Sequence, residues 1–125
     1  MMTTDLSLKT LRAMLTHVAT QDIRVKLAAV NVEITAKGVV YVATNGTALL
    51  AHLERREVNE AHIGKSMLIP SSWIDRQLAT TTEGKYEGAN RIKVIEIMED
   101  RAEAIISTHA VPEPTTLPLI ADTFP

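Results

Sequence analysis

Val39-Val40-Tyr41-Val42-Ala43-Thr44-Asn45-Gly46-Thr47-Ala48-Leu49-Leu50 is a β-rich run interrupted by Asn-Gly. That dipeptide accepts positive φ at both central positions of a tight turn, which makes it a strong hairpin signal. The returning run, Thr47 to Val58, passes from apolar (Leu49, Leu50, Leu53) to charged (Glu54, Arg55, Arg56, Glu57). Such a change predicts a strand emerging at a sheet edge, where charge discourages pairing with other chains. Upstream, in Ala28 to Thr35, Val30, Val32 and Ile34 alternate with Asn31, Glu33 and Thr35, the period of a half-buried strand. Lys37-Gly38 marks the turn into Val39. Together the three segments predict an antiparallel meander.

The flanks of this meander change period. From Leu6 to Thr20, Leu8, Leu11, Met14, Leu15 and Val18 share one helical arc, with Lys9, Arg12, Thr16 and His17 on the opposite arc. Ser7 is the expected N-cap. Beyond the polar connection Asn59 to Lys65, Met67-Leu68-Ile69 reads as a short buried strand stopped by Pro70. Ser72-Trp73-Ile74-Asp75 has the form of a capping box opening a helix from about Ser72 to Thr81. Glu83 to Arg91 reads as a loop. Arg91 to Met98 and Ala102 to Thr108 read as strands around the turn Glu99-Asp100-Arg101. Val111 to Pro125 holds four of the five prolines and is excluded as a helix or central strand. The order is helix and three strands, then strand, helix and at least two strands. The expected fold class is α+β, one domain over 1–125 with halves of about 1–60 and 61–125 sharing a core.

Bulk properties narrow the function. At 125 residues the chain suits one domain that buries roughly two-thirds of its unfolded surface. Aromatics are 3% of residues, too few for a platform that stacks single-stranded bases. The absence of cysteine excludes disulfides, thiolate metal sites and a cysteine nucleophile, and fits a cytoplasmic location. No apolar run reaches the ~20 residues of a membrane span, and the N-terminus has no signal-peptide pattern. A net charge of −2 leaves room for a local basic face.

Catalytic and cofactor motifs fail on inspection. Gly64-Lys65-Ser66 copies the end of a phosphate-binding loop, but Asn59 stands where the first glycine is required and a strand follows instead of a helix. His17, His52, His62 and His109 are dispersed, so no metal site is expected. There is no Gly-x-Ser-x-Gly elbow, and Glu99-Asp100 falls in a turn. The expectation is a protein without catalysis, cofactor or metal.

Three ordered segments carry a resemblance to a known family. These are Gln21-Asp22-Ile23-Arg24-Val25-Lys26-Leu27 after the first helix, Val42 to Leu50, and Leu68-Ile69-Pro70 leading into the second helix; Phe124-Pro125 closes the series. Together they resemble the bacterial sliding clamp, the beta subunit of DNA polymerase III, and most of all its middle domain, in a divergent and phage-like form. The resemblance implies a DNA-clamp domain with two helices side by side on one face of the sheets. It implies non-sequence-specific contact with duplex DNA through Lys9, Arg12, Gln21, Arg24 and Arg76. It also implies an apolar groove for short peptides of polymerase or loader proteins, lined by Leu27, Thr44, Gly46, Leu49 and Pro125. Asn45, Thr47 and Ala48 depart from the Asp, His and Arg usual in that signature. Loss of the Arg removes a long stem and a hydrogen-bonding fork from the groove wall. Without the resemblance, Asn45-Gly46 is a hairpin turn and Leu27 and Leu49 are core residues.

Since one domain cannot surround a duplex, assembly with further clamp domains or self-association is expected. Ending on Phe124-Pro125, where the family continues into an arginine-rich segment, sets the expectation of a longer protein. The expected function is a non-catalytic processivity or scaffold role in DNA replication. A second expectation is a protein-interaction module that keeps the clamp fold without encircling DNA.

Overall fold

The computed structural model describes residues 3–15, 29–44, 49–80, 91–108 and 111–121. In these, the chain runs β1 (Thr4–Ser7), α1 (Leu8–Met14), β2 (Ala29–Thr35), β3 (Gly38–Thr44) and β4 (Leu49–Arg55). The same pattern then repeats as β5 (Ser66–Pro70), α2 (Ser71–Thr80), β6 (Arg91–Met98), β7 (Glu103–Thr108) and β8 (Thr115–Pro118). Two antiparallel sheets result, ordered β1-β6-β7-β8 and β4-β3-β2-β5. Each half therefore completes its sheet with the first strand of the other. The α+β class and the two-half architecture expected from the sequence are present.

The departures have local reasons. β1 occupies Thr4–Ser7, so Leu6 belongs to a strand and the helix starts at Leu8. Four residues are too few to show alternation beside a strong helical pattern. Ser7 is the N-cap, its Oγ accepting from the Thr10 N–H at 3.1 Å. α2 starts at Ser71, which puts Ser72 inside the first turn and not at the cap. β8 was concealed by its prolines; it is an edge strand, where proline is tolerated. Residues 16–20 of the expected first helix, and Asn45-Gly46, lie outside the described residues. The ladder on either side of that turn closes at Thr44↔Leu49.

The core is continuous across both halves. Leu8, Leu11 and Met14 of α1 and Trp73 and Ile74 of α2 pack on the alternating inward residues of both sheets, among them Val30, Val32, Ile34, Tyr41, Ile69, Val94 and Ile106. Burial of these aliphatic side chains, at about 25 cal/mol per Å² of apolar surface, supplies most of the driving force.

Gly38 ends the two-residue turn at the Thr35↔Gly38 pair with φ 144°. A Cβ there would overlap the Glu54 carbonyl oxygen and press on the backbone of Arg55 and Arg56. β3 and β4 can be neighbours at this point only because no side chain intervenes.

The junction between the halves is held by a buried polar cluster. His62 is 3% exposed and Thr4 fully buried. His62 Nε2 lies 3.2 Å from the Ile95 carbonyl oxygen and Nδ1 lies 2.7 Å from Thr4 Oγ1. A carbonyl can only accept, so Nε2 carries the proton and Nδ1 accepts from the Thr4 hydroxyl. Thr4 Oγ1 in turn accepts from the Asn59 N–H at 3.1 Å. Ile95 is the extra residue of a β-bulge between Val94 and Glu96, and the bulge leaves its carbonyl free for His62. Burial holds His62 below its ordinary value of 6.5, with the Lys65 charge adding to the effect and the Ile95 bond and Glu96 opposing it.

Two outcomes are expected. Gly38→Ala should destabilise the fold by about 2–3 kcal/mol, read by denaturant melts, since strained φ and a backbone clash combine. For His62, the unfolded chain binds the proton more tightly than the folded one, so stability is fully present above pH 6.5 and declines as pH falls from there to the depressed folded value. Thermal melts of wild type and His62→Gln should therefore show a gap in Tm that narrows below pH 6.5.

Candidate functional site

β1 runs straight into α1 and β5 straight into α2, with no residue between. Crossing the strands therefore sets the helices next to each other, and α1 packs against α2. Lys9, Arg12 and Ala13 are exposed on α1, and Ser72, Asp75 and Arg76 on α2. Lys9 and Arg12, three apart, project from the same face. α1 contains no acidic residue, so the paired helices present three cations against one carboxylate. Arg12 and Arg76 each also take part in interactions within the chain. Of the five expected DNA-facing residues, Lys9, Arg12 and Arg76 are thus brought to one pair of helices; Gln21 and Arg24 lie outside the described residues.

The start of α1 is fixed by a residue that no sequence motif singled out. Tyr41, fully buried on β3, accepts the Ser7 N–H on its hydroxyl oxygen at 2.9 Å and donates to Glu54 Oε1 at 3.2 Å. Burial, reinforced by the Glu54 carboxylate, holds the phenol well above its usual pKa. Arg56 Nε lies 3.0 Å from Glu54 Oε1, close enough for an ion pair though not aligned for a hydrogen bond. Its Nη1 donates to the Asp5 carbonyl at 3.0 Å, and Arg91 Nη1 meets Asp5 Oδ2 at 3.4 Å. A lone tyrosine at an inward position of an aliphatic strand was the available signal, because a buried phenol must find partners.

Of the expected groove residues, Leu27, Gly46 and Pro125 lie outside the described residues. Thr44 is buried at the end of β3, paired in register with Leu49 at the start of β4. Leu49 is 62% exposed, which corrects its reading as a core residue: β4 is an edge strand and its outward face has nothing packed on it among the described residues. Ile63 and Gly64 form a turn closed by the Lys65 N–H on the His62 carbonyl, and Ser66 opens β5, so the phosphate-loop fragment has the strand expected of it.

No described group of three His, Asp or Glu could hold a metal. A cleft lined by Asn31, Glu33, Ser66, Leu68, Glu99 and Leu119 has both its carboxylates exposed and lacks the dry, convergent arrangement that catalysis requires.

No protein-family model matches the sequence, and no curated protein does. Solved structures do match its fold. DNA polymerase III subunit beta of Pseudomonas aeruginosa is similar at a TM-score of 0.68 and 18% identity, over 100% of this chain and 33% of that one. The beta subunit from Streptococcus pyogenes gives 0.71 and 15%, over 97% and 31%. The DNA polymerase sliding clamp from Bacillus subtilis gives 0.69 and 11%, over 99% and 33%. The chain thus has the fold of one sliding-clamp domain and spans about a third of the length of these proteins.

Tyr41→Phe should keep the ring packing but leave the Ser7 N–H and the Glu54 carboxylate without their partner, at about 1–2 kcal/mol. The expected readout is faster amide exchange at Ser7 than in wild type, with exchange in β6 and β7 changed only in proportion to global stability.

Proposed function

We propose that the chain is a non-catalytic sliding-clamp-type domain whose α1–α2 face lies along duplex DNA and which serves a processivity or scaffold role in replication. The observation that carries this reading is the acid-poor helix pair: two adjacent helices present Lys9, Arg12 and Arg76 from one domain. Support comes from the fold shared with DNA polymerase III beta subunits. Contact of this kind is electrostatic and addresses phosphates, so it carries no base preference and permits sliding. Gln21 and Arg24 extend the same proposed face. A domain of this size cannot surround a duplex, so the role requires assembly with further domains. The setting is cytoplasmic, and no helix among the described residues is long and apolar enough to cross a membrane.

A second element of the proposal is peptide docking at the end of β4. It rests on the exposure of Leu49 beside Thr44, an apolar anchor point of the type that short linear motifs use. Leu27, Gly46 and Pro125 complete the proposed groove. The absence of an Arg at Ala48 favours apolar over acidic anchors on the incoming peptide.

Titration of the protein against a labelled duplex at rising salt tests the DNA reading. With three phosphate contacts the slope of log K against log salt should be about −2.7, and Lys9→Gln with Arg12→Gln should make it shallower by about 2. Lys37→Gln, on the β2–β3 turn, should leave it unchanged. A duplex affinity that ignores the helix substitutions, or no affinity at the lowest salt, would leave the clamp fold serving protein interaction alone.

A further inference from the structure

Two backbone hydrogen bonds fix the direction in which β5 presents its polar groups. The Ile34 N–H donates to the Lys65 carbonyl, so alternation turns the backbone groups of Met67 and Ile69 toward β2 and those of Ser66 and Leu68 away from it. The second bond agrees, since the Ile120 N–H reaches the Leu68 carbonyl from outside the sheet. One residue earlier, the Leu119 N–H donates to the Ala102 carbonyl of the other sheet's β6–β7 turn. The tail after β8 therefore bridges the two sheets and forms one wall of the cleft between them. Along β5, the Ser66 N–H, the Ser66 carbonyl and the Leu68 N–H face outward, and no described group bonds them.

The cleft along this edge has a volume of about 630 Å³ and a divided lining. Leu68 and the half-buried Leu119 and Ile120 supply apolar surface, and Asn31 and Ser66 add neutral polar groups. Glu33 on β2 and Glu99 after β6 are exposed carboxylates with no ion-pair partner among the described residues. No Lys, Arg or His is among the described lining residues. Lys65, next to Ser66 in the chain, turns its ammonium to the Ile97 carbonyl at 3.3 Å. Asn31 pairs with Leu68 and Glu33 with Ser66, so these four side chains share one face of the sheet. Val30, Val32 and Ile34 meet the helices from the opposite face. The cleft thus lies behind the α1–α2 pair, and β5 is the edge of its sheet remote from β4.

We propose that this cleft holds a basic, extended segment of a partner protein, laid along β5 as an added strand. The partner's backbone takes the Ser66 and Leu68 groups that the fold leaves over. Its Arg or Lys side chains rest their aliphatic stems on Leu68 and Leu119 and carry their charge to Glu33 and Glu99. Charge decides against an acidic or phosphorylated segment, which the two carboxylates repel. A free polyamine would meet the carboxylates but leave the outward backbone groups and the apolar floor unused. The site shares no residue with the α1–α2 face or with Leu49, so the inference is independent of the DNA and peptide-docking readings.

Titration of the protein into a labelled, end-capped peptide, Gly-Arg-Thr-Leu-Thr-Arg-Gly, at low salt tests it. In an extended chain the two Arg and the Leu share one side. The peptide should bind and shift the Ser66 and Leu68 amide resonances. Glu33→Gln and Glu99→Gln should each weaken it about two- to fivefold, the range of an exposed ion pair, with unchanged melts. Glu113→Gln, at an exposed carboxylate outside the cleft, should leave the affinity as it is. Strand addition has a further signature, because only alternate peptide N–H groups face β5. Of two peptides N-methylated on alternate residues, one should lose binding and the other keep it. The proposal is overturned by no binding at millimolar peptide, by an affinity that both Gln variants leave unchanged, or by equal behaviour of the two N-methylated peptides. Spermine binding as tightly as the peptide also overturns it, as does a doubled sedimentation mass that the Gln variants reverse, which would make a second copy the occupant.

Discussion

β1 completes the sheet of the second half and β5 that of the first, so neither half can satisfy a sheet edge or close an apolar face by itself. This exchange of first strands ties distant parts of the chain together: Thr4 pairs with Val94, and Ala29 with Pro70. The core is consequently one body and its unfolding is expected to be cooperative. The exchange also decides where the helices go. Each follows its crossing strand without a spacer, so two strands that cross place two helices side by side.

Polar groups hold the crossing in register. β1 is only four residues long and contributes few ladder bonds, yet groups from outside its ladder bond several of its polar atoms. Thr4 is bonded to His62 and Asn59, the Asp5 carbonyl to Arg56, and the Ser7 N–H to Tyr41. In a low-dielectric setting an unmatched group of this kind costs more than a matched one contributes. Such a network therefore specifies the arrangement more than it strengthens it. The bulge at Ile95 belongs to the same scheme, since it turns a carbonyl of β6 toward the imidazole.

Helix face and strand edge are the two surfaces that this frame exposes, and they differ in physical character. The helix face carries cations of the kind that address a polyanion, an interaction that salt screens. The β4 edge carries the fixed backbone donors and acceptors of an edge strand. Tyr41 and Glu54 join the two: the phenol caps the strand that launches α1 and donates to a side chain on β4.

Local pattern was enough to determine most of the elements. Alternation at Val30, Val32 and Ile34, the arc Leu8, Leu11 and Met14, and the turns at Lys37-Gly38 and Glu99-Asp100-Arg101 are nearest-neighbour signals that each segment carries by itself. The charged end of β4 likewise announced an edge, and the cations of α1 were legible because helical spacing alone places Lys9 and Arg12 together. What only the tertiary structure decided concerns groups brought together from far along the chain. Thr4–Ser7 becomes a strand because β6 offers it a ladder, and Thr115–Pro118 because β7 does; neither has a pattern of its own. Leu49 is apolar and looked like core, but the sheet ends at β4 and leaves it exposed. Tyr41 with Ser7 and His62 with Thr4 and Ile95 are contacts across 33 to 58 residues. Sequence specifies what each segment prefers, whereas which hydrogen-bonding groups are left over, and which partners meet them, follows only from the strand exchange.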